Sequence, residues 1–97
     1  MQFIIKAFDG EGMLEKRMAV RARHLEGINA LGRQVICAGG MLDEEGKMKG
    51  SALVMEFADR AALDEYLKNE PYAAEGVWQK IEVEPMNVLI LNGERIK

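Results

Sequence analysis

A single cysteine, Cys37, and a single histidine, His24, occur in this 97-residue chain. One cysteine excludes an intrachain disulfide framework, and one histidine with it leaves no ligand spacing for a metal site. No apolar run approaches the roughly 20 residues that cross a bilayer. No basic segment followed by an apolar stretch marks a signal peptide. Positive charge is not in excess: 13 Lys and Arg face 16 Asp and Glu, for a net charge of −3. That balance argues against nucleic acid as a partner, because phosphate contacts dominate such affinity. No glycine run leads from a strand into a helix in the form that cradles phosphates or dinucleotides. These absences lead to the expectation of a soluble cytoplasmic protein with no metal, nucleic-acid or membrane partner.

What is present reads as one domain over residues 1–97, without repeats, low-complexity segments or linkers. Gln2 to Phe8 is a strand rich in β-formers, closed by the turn residues Asp9-Gly10-Glu11-Gly12. A helix follows from about Leu14 to Arg33, then a second strand from Val35 to Leu42. Within that strand Gly39-Gly40 suggests a bulge or a close approach to the backbone. Asp43 to Lys47 connects to a third strand, Gly50 to Phe57. Asp59 caps a second helix carrying Leu63, Tyr66 and Leu67 at i, i+3, i+4. The residue before Pro71 is pushed out of the helical region, so this helix ends at Asn69 or Glu70. Pro71 opens a further helical turn ended by Gly76. A last extended segment spans Val77 to Leu91, and Asn92 to Lys97 is a polar tail.

The order βαββαβ is the ferredoxin-like α+β arrangement, a four-stranded antiparallel sheet with two helices on one face. A sheet covered on one face alternates apolar and polar residues. Here Ile4-Ile5, Val35-Ile36, Leu53-Val54-Met55 and Val88 to Leu91 are apolar at both parities. Two helices cover one face only, so the other is expected to pack against a second copy in a homodimer. Cys37, inside an apolar run, reads as a small core residue.

On the first helix, Leu14, Met18, Leu25, Ile28 and Leu31 mark an apolar stripe at 100° per residue. Arg21 falls near its middle and His24 about 60° to one side. Burying a guanidinium and an imidazole among aliphatic chains is costly without partners. Lys16, Arg17, Arg23 and Arg33 read as a solvated basic face.

Leu14-Glu15-Lys16-Arg17, with Val20-Arg21 and His24-Leu25, resembles the opening helix of the YCII (YciI-like) family. Ala38-Gly39-Gly40-Met41 stands where that family has Ala-Gly-Pro. Glu70-Pro71-Tyr72-Ala73-Ala74-Glu75-Gly76-Val77 is similar to its Asp-Pro-Tyr/Phe element ending in glycine, and Gly50-Ser51 is similar at the third strand. The resemblance implies a dimeric α+β barrel with a histidine/aspartate-centred site and cofactor-free small-molecule chemistry.

Glu70 replaces the usual aspartate, keeping the charge one methylene further out. Glutamate is a poor N-cap, which favours a role toward the histidine over a purely structural one. On this resemblance His24 is the general base or acid and Glu70 its orienting partner. Arg21 would hold a ligand carboxylate or an oxyanion, and Ser51 and Tyr72 would hydrogen-bond the ligand. The implied function is proton transfer, isomerisation or elimination on a small anionic or enolisable metabolite. The alternative is a non-catalytic ligand-binding or interaction module using the same pocket.

Overall fold

A computed structural model describes all 97 residues. Its elements are β1 (Gln2–Asp9), α1 (Leu14–Leu31), β2 (Val35–Leu42), β3 (Met48–Glu56), α2 (Arg60–Asn69), α3 (Pro71–Ala74), β4 (Trp78–Met86), β5 (Ile90–Leu91) and β6 (Glu94–Arg95). The first four strands of the βαββαβ order form one sheet, β2-β3-β1-β4, with every neighbour antiparallel. This is the ferredoxin-like topology, in which β3 sits between the two strands that α1 connects.

Side chains alternate along β1. Phe3, Ile5 and Ala7 are fully buried beneath the helices. Across the sheet Ile5 lies between Leu53 and Val83, and Ala7 between Ser51 and Ile81. Val20 from α1, Leu63 and Leu67 from α2, Tyr72 from α3, and Val77 and Trp78 close the core over that face. The opposite face mixes half-buried Ile4, Phe8, Ala52 and Val54 with exposed Lys6, Lys80, Glu82 and Cys37. The thiol of Cys37 is therefore exposed on an edge strand, and the expectation of a core cysteine is corrected. Its residue faces away from the helices because Cys37 pairs with Val54, whose side chain points to the outer face.

Boundaries follow local chemistry. Asp59 accepts a hydrogen bond from Ala62 N at 2.8 Å and caps α2. Pro71 begins α3 one residue after α2 ends, with Glu70 extended between them. Lys16 and Arg23 on α1 reach Glu75 at the end of α3, holding its carboxyl below the usual range. These contacts are solvent-exposed and add little stability.

Two local expectations need correcting, and a third, at Gly39-Gly40, holds in one of its two forms. The first helix ends at Leu31 rather than Arg33, because a 3-10 turn occupies Gly32–Gln34. The irregularities in β2–β3 pairing fall between Val35 and Cys37 and between Met41 and Leu42, not at the glycines. At Gly40 the close approach is real, since an added Cβ would collide with the thioether of Met48. Finally, the extended C-terminal segment is broken after Met86. Asn92 and Gly93 (φ 53° and 79°) turn the chain so that Ile90–Leu91 pairs with Glu94–Arg95. Both turn residues with positive φ make this a two-residue hairpin turn of the Asn-Gly kind rather than a tail.

Candidate functional site

The buried arc of α1 consists of Arg17, Val20 and His24, an i, i+3, i+7 set lying on one side of a helix. Relative to the stripe read from the sequence it is rotated by about 70°. Leu14, Met18 and Leu25 are exposed, with Met18 and Leu25 flanking a cleft instead of entering the core. Two polar side chains take their place inside because partners await both.

The first is His24. Its Nδ1 lies 2.7 Å from Glu70 Oε1, across 46 residues of sequence. The ring stacks on Tyr72 at 4.0 Å between centroids and 16° between planes, and meets the edge of Trp78. Glu70 sits in extended backbone between α2 and α3, placed there by the restriction that Pro71 imposes on its neighbour. Its side chain is almost wholly inaccessible, at 1% relative exposure. Three donors satisfy the carboxylate. Oε1 takes His24 Nδ1–H and the backbone N–H of Tyr72 at 3.1 Å; Oε2 takes the hydroxyl of Tyr66 at 2.6 Å. Glu70 is therefore both the N-cap of α3 and the partner of His24. The expectation that a glutamate here would not cap is corrected: the extra methylene lets the side chain fold back onto Tyr72 N while still reaching the imidazole.

Binding of Nδ1–H by a carboxylate selects the tautomer that leaves a lone pair on Nε2. Nε2 makes no hydrogen bond within the chain, and unlike the orphaned Nε1 of Trp78 it is not sealed from solvent.

Arg17 is the second buried polar group, at 4% exposure, and its reading as part of a solvated face is corrected. Nη1 donates to both oxygens of Asp9 at 2.8 and 3.0 Å, and Nη2 donates to Ser51 Oγ at 2.8 Å. Its guanidinium also lies 4.7 Å from the centroid of the Tyr72 ring. The sequence signal was the 17-20-24 spacing with an acid, Asp9, ending the preceding strand. Tyr66, read as an apolar helix position, is the other group missed. Burial and the adjacent Glu70 carboxylate push its phenol far above the usual value. Burial also raises the phenol of Tyr72, with Arg17 and Arg21 opposing.

A cleft of about 230 Å³ opens between α1 and the β2–β3 half of the sheet. Arg17, Arg21, His24, Ser51 and Tyr72 supply its polar lining, and Met18, Leu25, Ile28, Met48 and Leu53 its apolar walls. No carboxylate lines it. Asp9 neutralises Arg17, whereas Arg21 makes no ion pair or hydrogen bond and stands exposed at the rim. All five residues singled out from the sequence thus converge on one place: His24, Arg21, Ser51 and Tyr72 on the cleft and Glu70 directly behind the imidazole.

A ferredoxin-like α+β domain with a buried His–carboxylate pair behind a cationic cleft is the class that fold and site define. Within it, the chain belongs to the YCII family: the YCII-related domain matches residues 1–87. Protein YciI of Escherichia coli is 32% identical over 94 residues, covering 88% of this chain and 95% of that protein. An uncharacterized protein of Haemophilus influenzae is 30% identical with the same coverage. Among solved structures, 5-chloro-2-hydroxyhydroquinone dehydrochlorinase from Burkholderia phenoliruptrix, in complex with 2,5-dihydroxybenzoquinone, superposes with a TM-score of 0.84. It is 26% identical, with 90% of this chain and 94% of that one covered. An antibiotic biosynthesis monooxygenase (TM-score 0.56, 16% identity, 92% and 98% covered) shares the fold alone.

Proposed function

We propose that this protein is a small enzyme performing cofactor-free acid–base chemistry, an elimination, isomerisation or proton transfer, on a small anionic or enolisable ring compound. One observation carries the reading. His24 Nδ1 is tied to Glu70 while Nε2 stays unpartnered beside a cleft that has cationic groups and no acid. In an elimination, Nε2 takes a proton from an acidic C–H or O–H of the substrate. The electron pair left behind forms the new π bond, and the leaving group departs with its own pair as an anion. Arg21 holds the oxyanion that develops on the ring, and the Tyr72 and Ser51 hydroxyls orient it. A volume of about 230 Å³ suits a single ring, being below the size of most drug-like sites. The similarity to a dehydrochlorinase acting on a chlorinated hydroxyquinol supports elimination as the first chemistry to test.

The test is a screen of halogenated hydroxyquinols and small enolisable acids, followed by mass spectrometry and halide release. His24→Ala is expected to lower kcat by about 10²–10⁴ while leaving affinity within a few-fold. Loss of affinity alone, or no turnover across the screen, favours a ligand-binding module instead.

The same reading includes a cytoplasmic homodimer packed through the sheet faces. The helix-free face with Ile4, Phe8 and Val54 supports it, as do exposed Leu89, Ile90, Leu91 and Ile96 in the C-terminal segment. A sedimentation experiment showing only monomer at micromolar concentration would remove this part.

A further inference from the structure

Glu70 carries one hydrogen bond more than pairing with His24 and capping α3 require. Its Oε2 accepts from Tyr66 Oη at 2.6 Å. Tyr66 lies on the last turns of α2, four residues before Glu70, and its ring stacks on Phe57 at 5.6 Å and 28°. Packing on one side and the carboxylate on the other hold the phenol in place.

We propose that Tyr66 is a positioning residue: it clamps the second oxygen of Glu70 and thereby sets how strongly the carboxylate draws on the proton of His24. The inference rests on the reading of His24 and Glu70 as the acid–base pair. A carboxylate shares its charge between two oxygens, and a donor on Oε2 withdraws charge from Oε1. With Tyr66 in place, part of the Glu70 charge is spent on the phenol, so the carboxylate orients the imidazole while stabilising its charged form less than an unclamped carboxylate would. The longer side chain of glutamate matters here. It lets one carboxylate bridge α1, through His24, and α2, through Tyr66, while capping α3.

Other groups around the pair do not duplicate this role. From α1, Arg17 is discharged by Asp9 of β1 and bound to Ser51 of β3, and Arg21 stands at the cleft rim. From α3, Tyr72 offers its backbone N–H to Oε1 and its ring to the imidazole face. From β4, Trp78 presents only an uncharged edge. The Tyr66 hydroxyl is the one side-chain donor on Oε2.

His24 is the only histidine, so its ring proton signals in NMR follow one residue through a pH titration without any substrate. Tyr66→Phe keeps the ring and its stacking and removes the donor. The midpoint of those signals is expected to move upward by roughly 0.5–1 pH unit. In a Glu70→Asp background the shorter carboxylate cannot hold both His24 and Tyr66, so adding Tyr66→Phe there is expected to move the midpoint no further. An unmoved midpoint in the single variant, or an equal movement in the Asp background, overturns the proposal. A moved midpoint together with undiminished turnover in His24→Ala supports the clamp and defeats the acid–base reading, so the two fail separately.

Discussion

Arg17 and Asp9 form an ion pair at 2.8 Å in which both side chains are only 5% exposed; the Arg17 member lines the cleft in front of His24, and Asp9 lies outside it. A buried pair of this kind contributes little net stability over well-packed apolar residues, but breaking it is costly because one charge stays buried and unpaired. Asp9→Asn is therefore expected to destabilise the fold by about 3–5 kcal/mol in urea unfolding. Adding Arg17→Met to it should recover a large part of that loss, since residues in contact do not contribute additively. A loss below about 1 kcal/mol for Asp9→Asn would mean that water compensates the guanidinium and that the cleft floor is wet.

A second prediction concerns alkaline pH. The chain has two tyrosines, and in the folded state both phenols are raised above the ordinary value of 10.0, chiefly by burial. The native state then binds phenolic protons more tightly than the unfolded chain. This stabilisation is complete below about pH 10 and is lost as pH climbs toward the folded-state values, because the unfolded phenols ionise first. Absorbance at the tyrosinate band should stay low in the folded protein at pH about 10.5, where an exposed phenol is largely ionised. It should then rise together with the loss of near-ultraviolet circular dichroism. Tyr66→Phe should remove much of the pH dependence of the urea midpoint between about pH 10 and 12. Independent ionisation near pH 10 with the fold intact would contradict it.

The degree to which sequence foretold structure varied with how local the physics was. Asp59, Pro71 and the βαββαβ order were legible because caps, proline restriction and strand composition act within a few residues. His24 and Glu70 were legible as a pair only through the family motif, since nothing local says that residues 46 positions apart will meet. Arg17 was misread for a general reason. Hydrophobic periodicity scores a buried arginine as surface, and the partners that make its burial tolerable, Asp9 and Ser51, lie on other elements. Conversely Met18 and Leu25 looked like core because a cleft wall and a core wall have the same composition. Tyr66 satisfied its apolar position and hid a hydroxyl that matters.

The third prediction separates two glycines on the paired strands β2 and β3, Gly40 opposite Ser51 and Gly50 opposite Met41. An added Cβ at Gly50 would strike the backbone oxygen of Ala7 in the adjacent β1, whereas at Gly40 the obstacle is the side chain of Met48. Backbone in the middle of a sheet cannot retreat without losing ladder hydrogen bonds, but a methionine can change rotamer. Gly50→Ala is thus expected to cost about 1–3 kcal/mol, read as a lower urea midpoint. Gly40→Ala should change stability by no more than about 1 kcal/mol. Met48 lines the cleft, however, and the side chain displaced by the new methyl has to move within it. Gly40→Ala should therefore weaken ligand binding several-fold at nearly unchanged stability, while Gly50→Ala lowers stability first. Equal stability losses in the two variants would show that Met48 is as immobile as the backbone, and the cleft wall would have to be regarded as part of the rigid core.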